Sequence, residues 1–184
     1  KTDMKFAHNI LFFMATISLG MVGAQPDWDC ASTAGVDKRA TDCTVSIEIV
    51  VTGKLNVTGV PDAQGNLPKI IGGGSNRFFK VESGGELVVK FLNLTGGYSS
   101  QGGVVHISTD GVIRASESSF YGNTATGETG HGGAIYMTSG EVYISSCTFE
   151  ANTANFGGSI MGTSQAPYIQ LVGSIFRYNV ADKY

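Results

Sequence analysis

From Phe79 onward, apolar residues alternate with polar ones in runs of three to five, too short for an amphipathic helix. In "GEVYISSCTFEAN", residues 140–152, Val142 and Ile144 stand two apart, Cys147 follows after three and Phe149 after two more. Alternation at period two predicts strands whose apolar side chains share one face. The step of three marks a turn at which the chain changes sheet while its apolar side chains stay inward. The same spacing recurs in Leu87, Val89, Leu92 and Leu94. Further upstream, "VSIEIVVTGKLNVTG" alternates like a pair of strands, and "PDAQGNLPKIIGGGSN" reads as a turn into the next coil.

The pattern is an internal repeat. "GGVVHISTDGVIRASESSFYGNTA", "GGAIYMTSGEVYISSCTFEANTA" and "GGSIMGTSQAPYIQLVGSIFRYNVA" begin at Gly102, Gly132 and Gly157, 30 and then 25 residues apart. Six positions match in all three copies: Ile113, Ala115, Ser118, Phe120, Asn123 and Ala125 in the first; Val142, Ile144, Cys147, Phe149, Asn152 and Ala154 in the second; Ile169, Leu171, Ser174, Phe176, Asn179 and Ala181 in the third. Three short strands per repeat predict an all-β, parallel β-helix of about five coils, in which equivalent residues stack at about 4.8 Å. Phe120, Phe149 and Phe176 then form an internal aromatic stack. Asn123, Asn152 and Asn179 form a ladder in which each side-chain amide bonds its neighbour. Gly132 and Gly133, like their counterparts, supply backbone angles at the tightest corner that a side chain would forbid.

The pairing of "GGAI" with "FEAN", echoed by "GGVV" with "FYGN" and "GGSI" with "FRYN", resembles the repeats of chlamydial polymorphic outer-membrane proteins and of similar pectin-lyase-like repeat proteins. The resemblance covers residues 72–184. It implies a right-handed parallel β-helix, secreted or exposed at a cell surface, commonly as an adhesin-like passenger. The chain departs from that family in lacking a C-terminal translocating barrel and in holding only a few coils, so outer-membrane anchoring is not carried over.

Residues 1–24 read as a secretory signal: Met4-Lys5, an apolar run from Ile10 to Gly20, then Val22-Gly23-Ala24 spaced for cleavage before Gln25. No later window approaches a membrane span. Removing Lys1, Asp3 and Lys5 with the signal moves the net charge from −3 to −4. With no basic cluster, nucleic acid is not an expected partner. The 26 glycines beside only four prolines suit many short strands joined by tight turns. Residues 25–44 are expected to form an N-terminal cap stapled by a Cys30–Cys43 disulfide, and residues 45–184 the β-helix, truncated at its C-terminal end. Cys147 is expected to be a buried small hydrophobe. Asn56 and Asn93 head sequons for N-glycosylation in a eukaryotic host.

Catalytic chemistry finds little support. Glycoside hydrolysis needs two carboxylates at a defined separation. In the aligned copies Glu117 lies over Ser146, Glu141 between Val112 and Tyr168, and Glu150 between Tyr121 and Arg177, so no two carboxylates share a rung. Glu150 and Arg177 are expected to form an exposed ion pair. His106 and His131 occupy different places in the repeat with no further ligand at zinc spacing. Neither "GETGHGG" nor Gly72-Gly73-Gly74 has the Lys-Ser/Thr of a phosphate loop. No cofactor or metal is expected. Tyr121, Tyr136, Tyr143, Tyr168 and Tyr178 are candidates to face outward toward sugars or a protein. The reading is a secreted or cell-surface, non-catalytic scaffold, adhesin-like or cell-wall-associated, with glycans or cell-surface proteins as partners. The alternative is a carbohydrate-active enzyme, a degenerate polysaccharide lyase or glycoside hydrolase or one whose active coils lie outside this chain.

Overall fold

The computed structural model describes Cys30, the backbone of residues 35–39, and residues 41–163 and 168–183. The expected signal peptide, residues 1–24, and much of the expected cap lie outside the described residues. Every strand pairing is parallel, and among the described residues there is no helix. The chain is a β-solenoid of about five coils.

Four sheets run along its length. Sheet A carries Gly35–Arg39, Lys54–Gly59, Glu86–Lys90, Val112–Ser116, Glu141–Ser145 and Tyr168–Val172, in chain order. Sheet B carries Cys43–Val45, Lys69–Gly72, Asn93–Thr95, Ser119–Tyr121, Thr148–Glu150 and Ile175–Arg177. Sheet C carries Ile49–Val51, Phe79–Val81, Val105–Ile107, Ile135–Met137 and Ile160–Gly162. The short strands Tyr98–Ser99, Thr124–Ala125, Thr153–Ala154 and Val180–Ala181 make sheet D, a fourth side that the earliest coils lack. The alternating segment that reads as two paired strands is divided among sheets B, C and A, and none of its strands pairs with another. Alternation passes unbroken through its short links, so period two alone does not mark where the chain turns.

The core is a set of columns. Leu55, Leu87, Ile113 and Val142 stack in one, and Val57, Val89, Ala115 and Ile144 in the next, all buried. In sheet B the column is Ile70, Leu94, Phe120, Phe149 and Phe176. Phe120 and Phe149 stack at 4.5 Å and Phe149 and Phe176 at 4.8 Å, with ring planes within 3° of parallel. That spacing is the rise between coils, so parallel stacked rings follow from the register.

Of the four corners that connect the sheets, three hold one residue each in the left-handed region, and the return from sheet C to sheet A carries Gly84, Asp110 and Gly140 there. Phe91, Glu117, Ser146 and Gly173 turn the chain from sheet A to sheet B at φ between 50° and 57°. Gly96, Gly122, Ala151 and Tyr178 turn it from B to D. Gly102, Gly132 and Gly157 turn it from D to C. Of the corners from A to B, B to D and D to C, the last alone is sterically closed to other residues. A Cβ on Gly132 would lie 2.0 Å from the Ile135 carbonyl oxygen, and one on Gly133 would lie 2.2 Å from the Gly158 oxygen of the next coil. At Gly122 an added Cβ meets nothing within 4 Å. The other corners therefore admit Phe, Glu, Ser, Ala and Tyr, at a cost of roughly 1 kcal/mol or more each.

Candidate functional site

The asparagines run up the inside of the corner between sheets B and D. The Asn152 side-chain oxygen accepts from the Asn123 backbone N–H and side-chain amide, each at 3.0 Å, while its own amide donates to the Phe120 carbonyl at 2.9 Å. Asn179 repeats this toward Asn152 and Phe149. Asn123 accepts from the Gly97 N–H and donates to the Leu94 carbonyl. Each amide satisfies buried backbone groups that the turn would otherwise orphan. Gly97 takes the asparagine's place one coil earlier. Cys147 is buried, and burial raises its thiol pKa, a setting opposite to that of a nucleophilic thiolate. Cys30 and Cys43 are joined in a disulfide, with Cα atoms 6.3 Å apart.

Sheet A supplies the broadest outer face. Its outward side chains form three columns: Lys54, Glu86, Val112, Glu141 and Tyr168; Asn56, Val88, Arg114, Tyr143 and Gln170; Thr58, Lys90, Ser116, Ser145 and Val172. A diagonal of polar contacts crosses them. Glu86 binds Lys54 at 2.8 Å and Arg114 at 3.0 Å, tying three coils together. The hydrogen bond from Lys54 holds the Glu86 carboxyl below its usual pKa against the opposing effect of burial, and Arg114 adds to the lowering. The Arg114 guanidinium lies 4.0 Å over the Tyr143 ring, and the Tyr143 hydroxyl donates to Glu141 at 2.7 Å. Tyr168 completes the diagonal, its ring 5.4 Å from Tyr143. Two shallow depressions of about 310 and 430 Å³ lie beside Arg114.

A second outer feature follows from the Gly-Gly corner, which folds the residue before the pair toward the fifth residue after it. His131 thus stacks on Tyr136 at 5.3 Å and, across coils, on Phe156 at 5.3 Å, and His106 packs on Tyr136 at 5.1 Å. Tyr136 is therefore not an outward surface tyrosine: it is 5% exposed, covered by two imidazoles. The histidines do stand in different columns, yet one ring joins them. Burial, helped by Arg77 and Lys80, lowers the His106 pKa to about 4. Arg77 closes the near end of this seam, paired with Glu48 and donating to the Ser99 hydroxyl and the Gln101 carbonyl.

The remaining positions are dispersed. Tyr121, Tyr168 and Tyr178 are exposed. Arg177 binds Glu150 at 2.7 Å in the open. Asn56 and Asn93 sit half-buried within strands of sheets A and B, with their side-chain oxygens covered. Among the described residues the carboxyls whose pKa is displaced, Asp62 and Glu86, are both displaced downward, away from what a general acid requires. Among the described residues no group of three metal-ligating side chains converges, and no helix is long and apolar enough to cross a membrane. The Glu86–Arg114–Tyr143 diagonal and Lys90 do not emerge from residue types alone. Laying the outward positions of the divergent coil over the three clear copies is the signal that finds them.

Residues 117–138 match the Chlamydia polymorphic membrane protein (Chlamydia_PMP) repeat. The matched span runs from the sheet A to B corner at Glu117, through Phe120 and Asn123, to the Gly132–Gly133 corner and the sheet C strand beyond it. The matched span thus covers three sides of one turn of the solenoid, sheets B, D and C without a sheet A strand, and its phenylalanine, asparagine and glycines are residues that stack. No curated protein and no solved structure matches the chain.

Proposed function

We propose that the chain is an exported, cell-surface solenoid that acts as a non-catalytic binding scaffold, adhesin-like or cell-wall-associated, with glycans or cell-surface proteins as partners. The observation that carries this reading is the outer face of sheet A, where Lys54, Glu86, Arg114, Tyr143 and Tyr168 make a continuous diagonal over five coils. These side chains are held by one another before any ligand arrives, which lowers the entropic cost of binding. The face is broad and shallow, suited to an extended partner and not to enclosing a small molecule. The match to a membrane-protein repeat of surface-associated type supports display outside the cell. The test is to incubate the purified chain with intact cells and a glycan array and, in parallel, with pectin and alginate. Saturable binding without new unsaturated or reducing ends is expected. Release of such ends would establish the carbohydrate-active enzyme instead.

A further inference from the structure

The smaller depression on sheet A is a groove with a built-in direction. Its floor is the backbone at Ala115 and Ile144. One wall is Arg114, Tyr143 and Gln170, and the other is Lys90, Ser116, Ser145 and Val172, each wall being one outward column of the sheet. Columns run along the solenoid axis, so the groove does too, with one side chain per rung at about 4.8 Å. Both cations sit at the end nearer the early coils, and the later rungs offer only hydroxyl, amide and apolar groups. Among the described residues no carboxylate pairs with Lys90, while Arg114 shares Glu86 with Lys54. Both groove cations also line the neighbouring depression of about 430 Å³, where Lys54 joins them against the single carboxylate of Glu86, so the junction of the two depressions keeps an excess of positive charge.

We propose that this groove binds an oligosaccharide lying along the axis, with one anionic sugar residue seated between Lys90 and Arg114 and neutral residues over Ser145 and Gln170. The inference rests on the scaffold reading and names the ligand class of the same face. Charge complementarity selects an anion at one end only, because a uniformly charged polymer would place further negative charges over rungs that hold no cation. A glycan fits better than an extended peptide. The floor strands Val112–Ser116 and Glu141–Ser145 are paired on both sides within sheet A, leaving no free edge for strand addition. Recognition falls to side-chain donors and acceptors, which match sugar hydroxyls and a carboxylate or sulfate.

The experiment is calorimetry on the full chain with four probes: a neutral oligosaccharide, the same chain with one terminal uronate, the same with one sulfated residue, and an acidic peptide. One of the singly anionic glycans is expected to bind roughly tenfold or more tightly than the neutral one, and the carboxylate and sulfate arms identify the source of the charge. Lys90→Gln is expected to remove that preference and Lys90→Arg to keep it, while Arg177→Gln on sheet B changes nothing; circular dichroism confirms that each variant is folded. Equal binding of the neutral glycan, an unchanged preference in Lys90→Gln, tighter binding of a fully uronate oligomer, or preference for the peptide would each overturn the proposal. If intact cells bind and none of these glycans does, the groove assignment falls and the scaffold stands. If cells do not bind either, both fall.

Discussion

The inside of the corner between sheets B and D and the outside of sheet A are built on the same stacking, yet they differ in what repeats. Inside, a residue is stacked on its own kind: phenylalanine on phenylalanine and asparagine on asparagine. Outside, Lys54 meets Glu86, and Arg114 meets Tyr143. An interior side chain has one packing solution, and the next coil offers the same space again. An outer side chain faces water, so its neighbour can be anything that does not repel it. The interior therefore specifies the solenoid, and the exterior is where recognition can vary without unfolding it.

The contrast breaks most sharply at Phe149, buried between two parallel rings. Phe149→Ala is expected to destabilise the chain by about 4 kcal/mol through the cavity it leaves, read as a shift of the urea midpoint. Phe176, which is 42% exposed on the last described coil, is the matched control and should cost clearly less when truncated. If both cost the same, stacking between coils is not what stabilises the ring. Asn152→Leu is expected to approach the Phe149 effect, at about 3 kcal/mol, because the Asn123 N–H and the Phe120 carbonyl lose their buried partner. Amide exchange at Asn123 would report that loss residue by residue.

The cap gives a comparable expectation from a different cause. The Cys30–Cys43 bridge closes a loop of sequence separation 13, so reducing it, or Cys43→Ser, should lower stability by about 3 kcal/mol on loop-entropy grounds. Thermal melts with and without reductant measure this. A null result would mean that the coils hold without the staple.

The outer face should respond to pH and salt more than to truncation. His106 titrates near 4 in the folded chain, below its ordinary 6.5. The unfolded chain therefore binds the proton more readily. The histidine's contribution is complete above pH 6.5 and is lost as pH falls from 6.5 toward 4. His106→Gln should flatten the stability profile in that window, and a ring resonance assigned to His106 that titrated near 6.5 in the folded chain would contradict the assignment. Glu86 gives the smallest effect. Its lowered pKa means stability present above its ordinary value of 4.5 and lost as pH falls through the lower folded value. Glu86→Gln should shift the midpoint only slightly near neutral pH, and less in high salt. A shift as large as that of Asn152→Leu would erase the distinction between inside and outside.

The columns of the core could be read from spacing because identity recurs there every coil. Phe120, Phe149 and Asn152 announce themselves by repetition, and Gly132 because only glycine fits 2.0 Å from a carbonyl oxygen. The corners from sheet A to B and from B to D are silent, since their left-handed residues point into open space and several side chains are admitted there. Tyr136 misleads for a related reason. Its alternation is that of an outward residue, but the Gly-Gly corner folds His131 over it and closes the surface.

Apolar spacing and the Gly-Gly, Phe and Asn positions were sufficient to specify a coil and the fact that coils stack, because those interactions lie between residues at equivalent places in the repeat. Which outer side chains touch was settled by the winding. Glu86, Arg114 and Tyr143 are 28 and 29 residues apart in turn, and they meet because the coil between each pair spans that length and the register sets them on adjacent rungs. Side chains at inequivalent or unrepeated places have no periodic mark in the chain, so the groove beside Lys90 exists only once the sheets are wound.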